Sequence, residues 1–227
     1  MIELYTRDHY RPIIFDGDSV RAILAGAKTQ ARKIVKWPVL SKGDGTKRRI
    51  FTSDDVVIVN ELLKTKHRHP HDKPLTPFGR PGDWLWVRET FRQSPGSVEF
   101  HYRADLDEPP ASGCWRSATH LPGRGSRIVL QVEHVRIERL QSITEQDAIN
   151  EGARFVDVGA NKWGHKLPGW SMKYPHPGKP EHCLGTARFA FANHWNAYAK
   201  RGFNWDSNPW VWVIEFKRVI FSEKTEE

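Results

Sequence analysis

AGAKTQAR, residues 25–32, turns a short amphipathic helix into a strand within a few residues, and the fold is read outward from it. Val20, Ile23 and Leu24 give one apolar face at helical spacing, predicting a helix over 19–25. Ser19 is the expected cap, with Asp16 and Asp18 near the positive end of the helix. Gly26 suits the left-handed position just beyond the last turn. Residues 29–36 then read as extended chain ending before Pro38. Lys28 falls at the junction, where rigid neighbours on both sides hold a side chain that still faces a cleft. Taken alone, Lys28, Arg32 and Lys33 read more simply as a solvated basic strand.

Upstream, residues 11–15 form a first strand. Downstream, 38–80 is poorly patterned, with a basic tract at Lys47, Arg48 and Arg49 and an apolar run over 56–59 that fits strand or short helix. His67, His69 and His71 alternate as HxHxH, a pattern able to bind a transition metal. The prolines at 70, 74 and 77 favour an exposed loop there instead. Order returns at PGDWLWVRETF, residues 81–91, where a turn leads into an aromatic and β-branched strand over 84–90. Residues 99–104 are its expected antiparallel neighbour. Residues 127–139 alternate well enough for one long strand or two bent pieces. A short helix over 142–151 follows, with Ser142 and Glu145 as a capping box and Gly152 as the stop. After a loop over 153–185, a third helix spans 187–198 with Phe191, Trp195 and Tyr198 on one face. The run WVWVIEFKRV, 210–219, reads as a buried strand, and the tail 222–227 as disordered.

Short strands, few helices and no strand–helix alternation favour an α+β fold, a small mixed β-barrel with about three packed helices. The 227 residues are most simply one domain, over 1–221, with long loop insertions at about 38–80 and 153–185. No apolar run approaches the roughly 20 residues that span a bilayer, and the start is charged, so the chain reads as cytoplasmic with no membrane partner. Cys114 and Cys183 belong to no CxxC pair, which argues against a disulfide scaffold or zinc site. No cofactor is implied, and no acidic cluster suggests a nuclease-type metal site. The net charge of +8 is uneven, since residues 1–50 hold eleven Lys/Arg against five Asp/Glu. Such clustering points to a polyanion, nucleic acid first.

Four segments occur in order: LAGAKTQAR (24–32), PGDWLWVRETF (81–91), LQSITEQDAINEGA (140–153) and NPWVWVIEFKRV (208–219). This series resembles the ASCH-domain proteins of the PUA-like superfamily, particularly the longer forms of phages and prophages. In them a first helix ends in G-x-K-T, a strand begins G-D-x-L-x-V, and the domain ends in a V-I-E-F strand. The resemblance covers about half the chain, leaving out 38–80 and 153–185. It implies a PUA-like barrel with a cleft for RNA, favoured over DNA on this ground alone, or for a nucleobase. One branch it is similar to comprises small bacterial amidohydrolases that deacetylate N4-acetylcytidine, using a lysine, a threonine three residues later and a glutamate after the long strand. Lys28 and Glu151 match the first and last. Ala31 stands where the threonine is expected and has no hydroxyl.

Amide hydrolysis needs an activated nucleophile and a group that handles the proton. A partly buried lysine can take a proton from a hydroxyl or water, and a carboxylate can orient it. Glu151 sits at the end of its helix, where the dipole disfavours an acid. Around Lys28, Ala31 and Glu151, the candidate base or nucleic-acid contacts are Thr29, Gln30, Arg32, Arg88, Glu89, Tyr102, Arg103 and Arg127. Arg32 and Arg127 offer a planar fork for phosphate. Arg88 and Glu89 alternate across a strand, as do Tyr102 and Arg103, so at most one of each pair faces any given cleft. The W-x-W pairs, Trp84/Trp86 and Trp210/Trp212, read as core. Trp163 and Trp170, interleaved with Lys162, Lys166 and Lys173, suit stacking on single-stranded bases or plain loop anchoring.

The sequence thus supports a protein that holds RNA or a modified nucleoside near Lys28 and Glu151. Its alternatives are an amidohydrolase of N4-acylated cytosine nucleosides and a phage accessory protein that binds a host protein.

Overall fold

A computed structural model describes residues 10–36, 60, 76–93, 96–106, 114–160, 163–167, 169–174 and 183–220. The basic tract at 47–49, the run at 56–59, the HxHxH motif, Lys162 and the tail 222–227 lie outside them. The elements in order are β1 (Tyr10–Ile14), α1 (Gly17–Leu24), β2 (Gln30–Ile34), β3 (Trp84–Arg88), β4 (Phe91–Arg92), β5 (His101–Tyr102) and β6 (Val129–Arg139). They continue as α2 (Glu145–Asn150), β7 (Arg154–Phe155), β8 (Trp170–Ser171), α3 (Ala187–Tyr198) and β9 (Trp210–Val219).

The main sheet has five strands in the order β1-β3-β6-β9-β2. Only β1 and β3 run parallel; the other pairings are antiparallel. The fold is therefore mixed, with three α-helices on a mostly antiparallel sheet among the described residues. The expected closed barrel is not formed there: β1 and β2 are edges and share no ladder. The sheet curls instead, bringing the two edges into side-chain contact, where Lys33 of β2 donates to the backbone oxygen of Ile14 in β1.

Strand β9 explains the architecture. Trp212, Ile214 and Phe216 pack into one core with Ile13, Val20, Ile23 and Leu85. Val211 and Val213 point the other way, into a second core with Ile143, Ala148, Ala190 and Phe191. A strand covered on both faces reads as a continuous apolar run, as WVWVIEF does. Strand β6 is one strand with a register shift between Val132 and His134. The extra residue resets the alternation, so Leu130 and Val132 before it and Val135 and Ile137 after it all enter the first core.

Several local expectations are corrected. Helix α1 starts earlier than expected, because Asp16, not Ser19, is its cap; the Asp16 carboxylate accepts from Ser19 N at 3.0 Å. Helix α2 starts later than expected, since residues 140–142 form a 3-10 turn. Its capping box is Thr144 with Asp147, not Ser142 with Glu145. Residues His101–Tyr102 pair with Phe91–Arg92 in a separate two-stranded ladder, not with the 84–88 strand. That strand is instead flanked by β1 and β6, which satisfy both its edges. Part of the 153–185 segment pairs as β7 with β8.

Candidate functional site

Lys28 follows α1 and Glu151 ends α2, and the two meet across 123 positions of sequence. Gly26 adopts φ 74°, ending α1, and Thr29 N then donates to the Asn150 oxygen at 2.8 Å, fixing the junction against the end of α2. Glu151 caps α2, and Gly152 turns the chain away with φ 105°. Lys28 Nζ donates to Glu151 Oε2 and to the Glu151 backbone oxygen, each at 2.7 Å. One ammonium thus closes an unpaired carbonyl of the helix end and neutralises the acid that the helix dipole disfavours. Both side chains are almost wholly buried, at 4% and 3% exposure.

Arg32 extends the pair into a network. Its Nη1 reaches Glu151 Oε1 at 3.2 Å and donates to Gln30 Oε1 at 2.6 Å. Its Nη2 pairs with Glu138 and, at 3.4 Å, with Asp147. Gln30 Nε2 donates to Asp147 at 3.0 Å and Glu215 at 3.3 Å. Arg136 closes the array on Glu138, Asp147 and Glu215. Hydrogen bonds from Thr144 and Gln30 and the charge of Arg32 outweigh the upward push of burial and lower the Asp147 carboxyl. Charges buried this deeply are tolerated because each has several partners.

Lys28, Ala31, Arg32 and Glu151 all line one cavity of about 190 Å³. Phe15, Phe191, Trp195 and Tyr198 supply its aromatic wall. Asp16 and His194 stand in the same lining, with His194 Nε2 3.6 Å from Asp16 Oδ2. Burial raises the Asp16 carboxyl, but His194 and Ser19 outweigh it and hold the group well below the usual carboxylate range. Lys33 also lines the cavity, 4.6 Å from the centroid of Phe15. Its amine is pushed down to about 8, by burial first and by the charge of Lys28 second.

The remaining sequence candidates lie elsewhere. Thr29 is exposed and contributes backbone bonds only to the junction, while Gln30 is buried in the ionic network. Arg127 holds Glu89 with two bonds, at 2.8 and 3.0 Å, and Asp105 with two more, at 2.7 and 2.8 Å. It also lies 4.1 Å over the Tyr102 ring. Burial raises the Glu89 carboxyl despite Arg127. Glu89 and Arg103 line a second cavity of about 370 Å³, which shares Asp16 and Tyr198 with the first. Arg88 packs 4.5 Å over Trp86. Both guanidinium groups proposed for phosphate, on Arg32 and Arg127, are thus engaged with internal carboxylates. Trp163 is 71% exposed, whereas Trp170 packs beside the second core. Among the described residues, no group of His, Cys, Asp and Glu is arranged to hold a metal, and no helix is long and apolar enough to cross a membrane.

Sequence reasoning did not name Asp16, Lys33, His194 or Trp195 as site residues. Lys33 directly follows the GAKTQAR junction, whereas Asp16 caps the far end of α1. The α3 residues gave a signal, Phe191, Trp195 and Tyr198 on one helical face, but nothing in the sequence said which pocket that face would close. Compared with protein-family models, characterised proteins and solved structures, the chain gives no match.

Proposed function

We propose that this chain binds a nucleobase, of RNA or of a modified nucleoside, in the cavity around Lys28 and Glu151. The observation that carries the reading is convergence. A junction lysine, a helix-capping glutamate and a buried arginine meet four aromatic side chains on one small cavity. Drug-sized pockets run to about 300–1,000 Å³, so about 190 Å³ suits a single planar heterocycle rather than a longer ligand. Aromatic side chains stack on the faces of bases, and charged and amide groups read their edges. The resemblance to ASCH-domain proteins, with their PUA-like fold, supports this reading and alone favours RNA over DNA.

The test is binding of single-stranded RNA, single-stranded DNA and cytidine derivatives across a salt series. Affinity for a nucleoside that changes little with salt is expected from a site where Lys28 and Arg32 are already paired with carboxylates. Steep salt dependence with the polymers would add a phosphate-tracking surface. No binding of any of the three overturns the reading and favours a protein partner.

A second reading, hydrolysis of N4-acylated cytosine nucleosides, is favoured by one observation: Lys28 and Glu151 are joined at 2.7 Å in a wall that also contains Ala31. In that chemistry the Lys28 ammonium first gives a proton to the Glu151 carboxylate and then, as the neutral amine, accepts the proton of the attacking nucleophile. Ala31 is 1% exposed and offers no hydroxyl. Ala31→Thr is therefore the deciding variant. Gain of amide cleavage supports the hydrolase reading, and no gain counts against it.

A further inference from the structure

The second cavity opens directly off the first, because Asp16 and Tyr198 belong to both linings. For a base seated in the first cavity, it is the adjoining space for whatever that base carries. At about 370 Å³ it has room for a sugar ring. One side of it is a 3-10 turn over Arg103–Asp105, which is tied down at two points. Arg103 N donates to the Thr90 oxygen at 3.0 Å. Arg21 donates to the Ala104 oxygen at 3.1 Å and to Asp18 Oδ1 at 2.9 Å. These bonds fix Asp18, Thr90 and Arg103 around one space.

Polar groups of this lining are left unengaged among the described residues. Asp18 is only 8% exposed. Both bonds it accepts from other residues, from Arg21 and from Tyr174 N, fall on Oδ1 and leave Oδ2 open. The Thr90 hydroxyl and the Arg103 guanidinium bond to no protein group there. Arg103 differs in this from Arg32 and Arg127, whose guanidinium groups are taken up by carboxylates. Charge decides what kind of group fits. Asp16, Asp18 and Glu89 outnumber Arg21 and Arg103 in the lining, so a phosphate is repelled and a neutral polyol is not.

We propose that the second cavity holds the ribose of a ribonucleoside, with its 2′- and 3′-hydroxyls among Asp18, Thr90 and Arg103, and so selects ribose over deoxyribose. The proposal rests on the base-binding reading and names the sugar of that ligand. Each hydroxyl both donates and accepts. A carboxylate oxygen accepts, a guanidinium donates, and the threonine hydroxyl does either, so a vicinal diol is matched where a single hydroxyl is not. Deoxyribose leaves a charged group short of its partner, and bonds to charged groups are the stronger kind. The 2′-hydroxyl is what separates RNA from DNA at a binding site. A preference that otherwise stands on resemblance thus gains a source in the chain's own residues.

The experiment titrates the full chain with cytosine, cytidine and 2′-deoxycytidine by calorimetry. Cytidine should bind about tenfold or more tightly than 2′-deoxycytidine, the scale of one hydrogen bond to a charged group. Arg103→Met removes the donor at an exposed position, and Thr90→Val removes a hydroxyl with little change of shape. Each should bring the ratio of the two affinities toward one. Equal affinity for the two nucleosides in the unmodified chain, with cytosine still bound, overturns the ribose subsite and leaves the base reading standing. A ratio that both variants leave unchanged overturns its assignment to this cavity. Failure of all three ligands to bind overturns the base reading itself, and the subsite with it.

Discussion

Lys28 Nζ holds Glu151 twice, through the side-chain Oε2 and through the backbone oxygen, each at 2.7 Å. The two bonds do different things. The side-chain bond neutralises an acid at a helix C-terminus, and the backbone bond closes that helix end. One ammonium group therefore serves both the buried acid and the helix end.

Lys28→Met is expected to destabilise the protein strongly. It strands Glu151 in a site where both partners are nearly inaccessible. Breaking a buried pair by removing one partner costs about 3–5 kcal/mol. Arg32, still in contact with Glu151 at 3.2 Å, should hold the loss near the lower figure. Denaturant unfolding gives the value. A loss below about 0.5 kcal/mol, the scale of an exposed pair, would contradict the buried geometry.

Asp16 predicts an acid limb of stability. Burial raises its carboxyl, but His194 and Ser19 lower it further, to well below the ordinary range. With the folded value depressed, the unfolded chain binds the proton more readily. The stabilisation is therefore complete above about pH 3.9 and lost as pH falls from there through the folded value. Asp16→Asn keeps a capping side chain and should remove this limb. Stability of the two proteins, measured from pH 6 to pH 2, should converge at the acid end. A constant difference across that range would show that Asp16 is not held as described.

How much of this was legible in the sequence divides by range. The helix over 187–198 and the strand over 210–219 were read with their observed bounds, because the first carries an aromatic helical face and the second an unbroken apolar run. The caps were misread where two candidates stand close together: Asp16 against Ser19, and Thr144–Asp147 against Ser142–Glu145. Spacing alone does not say which hydroxyl or carboxylate adopts the extended conformation a cap needs. Lys28 and Glu151 were named through resemblance, yet their contact across 123 positions has no local signature. The engagement of Arg32 and Arg127 with carboxylates was equally hidden, since Glu138, Glu151, Glu89 and Asp105 reach them only through sheet pairing and loop return. The same holds for the open sheet. Each strand is legible, but closure depends on whether the two edge strands pair, and neither edge carries that information.

Trp195 tests the aromatic wall. It lines the cavity and is anchored by Nε1 donating to the Phe203 oxygen at 2.8 Å. If a base stacks there, Trp195→Ala should weaken cytidine binding by about 1–3 kcal/mol, roughly 5- to 150-fold in Kd. Trp195→Phe, which keeps a ring face, should retain most of the affinity. Titration calorimetry on the three proteins separates stacking from a general loosening of α3, because loosening would weaken both variants alike.

Gly152 offers the sharpest link between backbone and site. Its φ of 105° is disfavoured for any residue with a side chain. A Cβ there would also stand 3.2 Å from Ala22 Cβ in α1 and 3.5 Å from Lys28 Cβ. The substitution Gly152→Ala therefore strains the turn and pushes apart the two elements that bring Lys28 to Glu151. Backbone strain of this kind costs about 1–3 kcal/mol, and the crowding of Ala22 adds to it. Gly26 is the control. It too has a positive φ, 74°, but a Cβ there meets nothing within 4 Å. Gly26→Ala should lower stability through strain alone and leave ligand affinity intact, whereas Gly152→Ala should lower both. Equal affinities in the two variants would mean that the packing of α1 on the end of α2 does not set the geometry of the Lys28–Glu151 pair.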